Sequence, residues 1–207
     1  MKIGVIAMAG MLSLAAGGLG AAEIDSKVIH NYNYFGLGYG YLHDIGDLDV
    51  DGHGPVGELS FEQNNFVLNV SGGYFWVTDT GSTDVNLWDV TASIGYVVRL
   101  MENHFNIIPR FGGAYSGIQV DDSSFGNESD ETWSILPGVG VSYAINNRFA
   151  INGGYTYAYN FDSEDEDHLF TAGAKFAILD QVGLSVNGNF SKEFGFTGIT
   201  AMLEFHY

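Results

Sequence analysis

One stretch, residues 148–161 (RFAINGGYTYAYNF), constrains the fold more than any other. Phe149, Ile151, Tyr155, Tyr157, Tyr159 and Phe161 fall on its odd positions, with Gly153 among them. Ala150, Asn152, Gly154, Thr156, Ala158 and Asn160 fall on its even positions. A β-strand sends successive side chains to opposite faces, so this segment has one aromatic, apolar face and one small, polar face; a helix would scatter both sets around its circumference. It is about twice the usual length of a globular strand. A strand of a soluble sandwich would carry Lys, Glu or Arg on its outer face, and here no charge follows Arg148. Long strands alternating apolar-out and polar-in are the unit of a transmembrane β-barrel.

The unit repeats. Residues 31–42, 55–63, 66–78, 87–100, 105–118, 133–145, 148–161, 168–179, 182–190 and 196–207 all read as strands. That predicts an all-β, antiparallel, up-and-down barrel of ten strands. Eight strands is the alternative, because 55–63 is short and the connection 191–195 breaks the rhythm of the others. That rhythm is acidic connections (43–54, 79–86, 120–132, 162–167) alternating with short ones (Asn64-Asn65, 101–104, Asn146-Asn147, Asp180-Gln181). Outer-membrane barrels have long external loops and short periplasmic turns. Aromatic residues sort by height in the same way. Trp76, Trp88, Trp133, Tyr157 and Tyr159 lie near the acidic ends, and Phe66, Phe105, Tyr143, Phe149, Phe205 and Tyr207 near the short ones. The run from Phe66 to Trp76 covers about 33 Å at ~3.3 Å per residue. Tilted, it matches the ~25 Å lipid-facing band between two girdles. Two features weaken the pattern: Val67, Phe75 and Val77 on a face that should be polar, and Pro109, which lacks a ladder donor.

Composition agrees. Charged residues are 15% of the chain, against ~25% in soluble domains. A net charge of −18 excludes nucleic acid as a partner. The absence of cysteine excludes disulfides, thiolate metal sites and cysteine nucleophiles. Lys2, an apolar run over 3–19 and Gly20-Ala21-Ala22 predict a cleavable signal peptide over 1–22, leaving 23–207 as the barrel domain.

The leader, the alternating strands, the two girdles and the terminal Leu203-Glu204-Phe205-His206-Tyr207 together resemble the small outer-membrane β-barrel family, the OmpA-like and porin-like superfamily of Gram-negative bacteria. The terminal aromatic with alternating apolar residues resembles the signal read by barrel-assembly machinery, although Met202 stands where that signal often has glycine. The resemblance implies a bacterial outer-membrane location, reached through the periplasm, with outer-membrane lipid and lipopolysaccharide as surroundings. It names no activity.

Three constellations could carry chemistry. Parity places Glu58, Arg110, Lys175 and Glu204 inside the barrel at similar depth, where charges away from water need partners; they are expected to form one ion-pair network plugging the lumen. Asp47, Asp49, Asp51 and Glu58 fit the D-x-D-x-D-G-x5-E spacing of a calcium loop, in which carboxylates wrap a hard cation. No helices flank them, and an acidic solvated loop is the competing reading. His43, Asp44 and His53 could hold a borderline metal in the same loop. Asp165, Glu166, Asp167 and His168 form a rim group of the kind that ten-stranded omptin proteases use, but a charge run is usually a solvated face. No nucleophile motif such as G-x-S-x-G is present.

The expected function is therefore a structural or surface-interaction barrel, not an enzyme and without a resident cofactor. Its acidic loops would bind Ca²⁺ or Mg²⁺, or face a partner. The alternatives are a narrow cation-preferring channel and a rim hydrolase.

Overall fold

The computed structural model describes residues 28–43, 50–78, 83–101, 104–122, 126–192 and 197–207. The signal-peptide stretch 1–22, together with Asp44, Asp47 and Asp49, lies outside the described residues. All the regular structure among the described residues is β. The strands are β1 (Tyr34–His43), β2 (Gly52–Gln63), β3 (Phe66–Val77), β4 (Thr83–Tyr96), β5 (Val98–Leu100), β6 (Phe105–Asp122), β7 (Gly126–Asn146), β8 (Phe149–Asn160), β9 (Glu166–Leu179), β10 (Val182–Ser191) and β11 (Thr197–His206). Apart from β4 and β5, consecutive strands pair antiparallel, β1 also pairs with β11, and β6 pairs with both β4 and β5. The sheet therefore closes on itself and leaves no edge, the condition for crossing a bilayer with strands.

β4 and β5 are one wall strand interrupted at Val97. The register Gly95↔Arg110 resumes unshifted as Val98↔Ile107, which puts Tyr96 opposite Pro109. The missing donor at Pro109 thus breaks the ladder locally and leaves the register intact. Counted this way, the closed barrel has ten strands.

The side-chain alternation follows the sequence. On β1, Phe35, Leu37, Tyr39 and Tyr41 are exposed and Tyr34, Gly36, Gly40 and Leu42 buried. On β3, Phe66, Leu68, Val70 and Trp76 face out. Ring contacts tie neighbouring strands at both interfaces: Phe66–Tyr96 edge to face at 5.1 Å and Phe149–Phe176 stacked at 4.7 Å near the turns, and Tyr115–Trp133 stacked at 4.5 Å near the loops. Asn64 and Asn65 both have positive φ (53° and 69°), the geometry of the tight hairpin turn that suits strand twist.

Two expectations need correction. Residues 120–132, read as the longest loop, belong to a hairpin: β6 runs to Asp122 and β7 starts at Gly126, with Val120 opposite Glu128. The charge of that stretch hid its strand character. Residues 31–33, read as the start of the first strand, instead belong to a segment tucked under the barrel. Val28 and Ile29 are fully buried, and His30 and Tyr32 nearly so. Ile29 packs with Ala144 and Ala150, and Tyr32 with Val67, Val97 and Ile108, all near the short turns. The Tyr207 amide donates to the Asn33 carbonyl (3.1 Å) and the Glu62 amide to Asn33 Oδ1 (2.9 Å), which fastens the segment to the wall.

Candidate functional site

The lumen is filled in layers. In its loop-side half is an apolar layer of Leu42, Val56, Phe75, Leu87, Ala114, Leu136, Ala158 and Leu169, one residue from each of eight strands. Phe75 is fully buried. The valine and phenylalanine that weakened the alternation on β3 are thus in place: Phe75 belongs to this layer and Val67 to the apolar contact around Tyr32.

Beneath it lies a polar layer around Glu58, Arg110, Lys175 and Glu204, in which Lys175 and Glu204 pair directly while Glu58 is held by neutral donors. Glu58 and Glu204 are both register partners of Gly36, one strand to either side. Gly36 has no side chain to separate them, and the space beside it is taken by the Met202 sulfur, 2.6 Å from where a Cβ would stand. Lys175 Nζ pairs with Glu204 Oε2 at 2.5 Å, and His206 Nε2 reaches the same oxygen at 3.1 Å. Glu58 accepts from the Tyr34 hydroxyl and the Asn69 side-chain amide. Arg110 donates to Thr156 Oγ1 at 3.1 Å and lies within electrostatic reach of Glu58.

Tyr34 bridges the two halves of this layer. Its ring lies under the Lys175 ammonium (4.9 Å to the centroid) while its hydroxyl donates to Glu58. Sequence reasoning missed it because parity shows only that the ring faces in. Lower still, Arg99 pairs with Glu62 and donates to Asn65.

At the loop end, the calcium-type spacing does not bring its described members together. Asp51 stands at the top of β2, where its carboxylate accepts from the Tyr41 hydroxyl (2.5 Å) and bonds His43 Nδ1 (2.7 Å). Glu58 sits seven residues further down the same strand, about 23 Å away at ~3.3 Å per residue, buried in the lumen. The cause is that the residues after Gly52 extend as a strand instead of curling around an ion. His53 bonds the Tyr39 hydroxyl (2.6 Å) on the outer face that it shares with His43, so the two imidazoles are engaged by different partners. Among the described residues, no three His, Asp or Glu side chains converge as metal ligands.

The rim group is also divided. Asp167 is fully buried, accepting from the Ser191 hydroxyl at 2.6 Å, whereas His168 bonds the Tyr155 hydroxyl at 2.7 Å on the outer face. Adjacent strand residues point to opposite faces, so these two side chains do not form an acid–base pair. The turn after β8 is instead held by Asn160 Oδ1, which accepts from the Thr132 hydroxyl and the Asp162 and Ser163 amides.

A pattern unread in the sequence runs around the outer girdle. Tyr41 donates to Asp51, Tyr115 to Glu131, and Tyr157 to Glu166 (2.7 Å), each across to the neighbouring strand. These pairs tie the aromatic belt to the first carboxylates of the acidic rim. Only the register, which the sequence does not display, reveals them.

A family model for the outer membrane protein beta-barrel domain matches residues 9–190. Among solved structures, the β domain of the Bordetella autotransporter BrkA is similar at 10% identity and a TM-score of 0.50, over 84% of this chain and 99% of that one. Neisserial surface protein A is similar at 15% identity and 0.48, over 84% and 96%. Ail, the attachment invasion locus protein of Yersinia pestis, is similar at 16% and 0.43, over 84% and 95%. Identities this low speak to fold alone. Comparison with curated proteins gave no match.

Proposed function

The chain belongs to the outer membrane protein β-barrel family and resides in the bacterial outer membrane, and from that premise we propose that it is a sealed barrel whose working surface is its loop end. The observation that carries this reading is the filled lumen: an apolar layer drawn from eight strands above, and the buried segment around Ile29 and Tyr32 below. A hydrophobic constriction excludes water and with it ions. With no path through the middle, what the barrel presents to the outside is its acidic rim.

That rim concentrates cations at the surface. Its carboxylates bind Ca²⁺ or Mg²⁺, alone or shared with lipopolysaccharide phosphates, or face a partner; Asp51 belongs to this surface. Barrel-assembly machinery engages the last strand, β11, and the Phe205-His206 pair that closes it, after the signal peptide 1–22 is removed. No catalytic role is assigned, because Asp167 and His168 face opposite ways. The runner-up is a narrow cation-preferring channel, favoured by the lumenal carboxylates Glu58, Asp89 and Glu204. Osmotic swelling of liposomes separates the two. Liposomes containing the folded barrel should swell in small-sugar or salt solution no faster than empty ones, and rapid swelling would reject the sealed reading.

A further inference from the structure

We propose that the inward face of β2 and β3, beneath Phe75, carries a binding site for one small monovalent cation, held by Glu58, Ser60, Asn69 and Ser71. These residues form a two-by-two patch. Glu58 is the register partner of Ser71, and Ser60 of Asn69. All four are at least nine-tenths buried: Glu58 3%, Ser60 0%, Asn69 8% and Ser71 4% exposed. Each presents one buried oxygen that lacks a hydrogen-bond partner: Glu58 Oε2, Ser60 Oγ, Asn69 Oδ1 and Ser71 Oγ. Side chains directly opposite on paired strands have Cβ atoms about 5 Å apart and diagonal ones about 7–8 Å, which puts the four side chains within reach of one ion between them.

Buried polar atoms in folded proteins generally have partners, so four unpaired oxygens gathered on one patch point to a bound water or ion there. The existing bonds orient the patch. Asn69 turns its amide nitrogen to Glu58 Oε1, which also receives the Tyr34 hydroxyl, and this leaves Asn69 Oδ1 and Glu58 Oε2 free together. Both donors to Glu58 are neutral, so the carboxylate charge has no cation in direct contact. The other lumenal carboxylates have their own arrangements: Glu204 is paired with Lys175, Glu62 with Arg99, and Asp89, opposite Gly73 on the neighbouring strand pair, interacts elsewhere.

An all-oxygen set suits a hard cation. One carboxylate with three neutral oxygens balances a single positive charge. A divalent ion would leave excess positive charge in a layer that already holds Lys175 and Arg110, and no group of three acidic or imidazole ligands is available among the described residues to offset it. Sodium is the simplest occupant. The site lies in the wall of the lumen, so it stands whether or not the barrel is sealed.

The test is the urea midpoint of the folded barrel in lipid or detergent, in sodium chloride, choline chloride and magnesium chloride at matched ionic strength. Sodium should raise the midpoint saturably above the choline value, and magnesium should add nothing beyond choline. Glu58→Gln should remove the sodium-specific rise. Ser71→Ala, a milder change in case the first variant folds poorly, should raise the half-saturating sodium concentration several-fold. Asp51→Asn, at the rim, should leave the sodium response intact. Equal midpoints in sodium and choline would mean that the patch holds only water and would overturn the proposal, as would a sodium response that survives Glu58→Gln or a rise produced by magnesium alone.

Discussion

The ring of Phe75 occupies the space that a side chain on Gly40 would need: a Cβ on Gly40 would lie 2.8 Å from Phe75 Cε1. A Cβ on Gly73 would meet the same ring at 2.6 Å. Gly40 on β1 and Gly73 on β3, the strand of Phe75 itself, therefore make room for one aromatic residue that reaches past β2. Phe75→Ala should lower barrel stability by about 3–5 kcal/mol, the usual cost of emptying a fully buried phenylalanine site. Urea unfolding from liposomes reads this directly. Gly40→Val should also destabilise, by forcing the ring off its rotamer.

The Lys175–Glu204 pair is buried on both sides. Removing one partner from such a pair leaves an uncompensated charge and costs about 3–5 kcal/mol, whereas replacing both with apolar residues is often close to neutral. Lys175→Met should therefore lower the urea midpoint strongly, and Lys175→Met with Glu204→Leu should recover much of the loss. Arg110→Ala should cost on the order of 3 kcal/mol if its surroundings are dry. Additive losses in the Lys175 and Glu204 double variant would show that the two charges are not coupled.

Asp167 and His168 provide a contrast between inner and outer faces. Asp167→Ala strips a buried hydroxyl of its acceptor and should cost about 1–3 kcal/mol. His168→Ala, on the outer girdle, should stay within about 1 kcal/mol. Comparable losses from the two variants would contradict the parity of β9.

Calcium sensitivity divides at the same boundary. If Ca²⁺ orders the rim, it should slow protease nicking of the loops more than sodium chloride of equal ionic strength does, because screening alone reaches only ~8 Å at physiological strength. Asp51→Asn should weaken that calcium-specific protection. Glu58→Gln should not, because Glu58 is buried in the lumen. A loss of protection in the Glu58 variant would restore the calcium-loop reading of Asp51 and Glu58.

The wall was legible in the sequence because a barrel strand has a period of two that lipid on one side and a crowded lumen on the other both enforce. The apolar face of β8, the girdles and the Asn64-Asn65 turn all follow from that. Depth follows from counting residues to the nearest turn, which is why the level shared by Glu58 and Glu204 beside Gly36 could be read from the chain. What contacts what within that layer depends on register around the ring, so the part played by Tyr34 and the pairing of Ser60 with Asn69 stayed hidden. The segment around Ile29 and Tyr32 carries no periodicity, because it is neither strand nor helix. The calcium spacing misled because a linear motif says nothing about whether its last residue turns back or extends into a wall strand.

Single-channel recording in planar bilayers is the most direct test of the sealed lumen, made on the wild-type barrel and on a variant carrying Phe75→Ala with Ile29→Ala and Tyr32→Ala. A sealed lumen gives no stable openings in the wild type and measurable, cation-preferring conductance once the apolar layer and the lower plug are both opened. Large, stable openings in the wild type would contradict it.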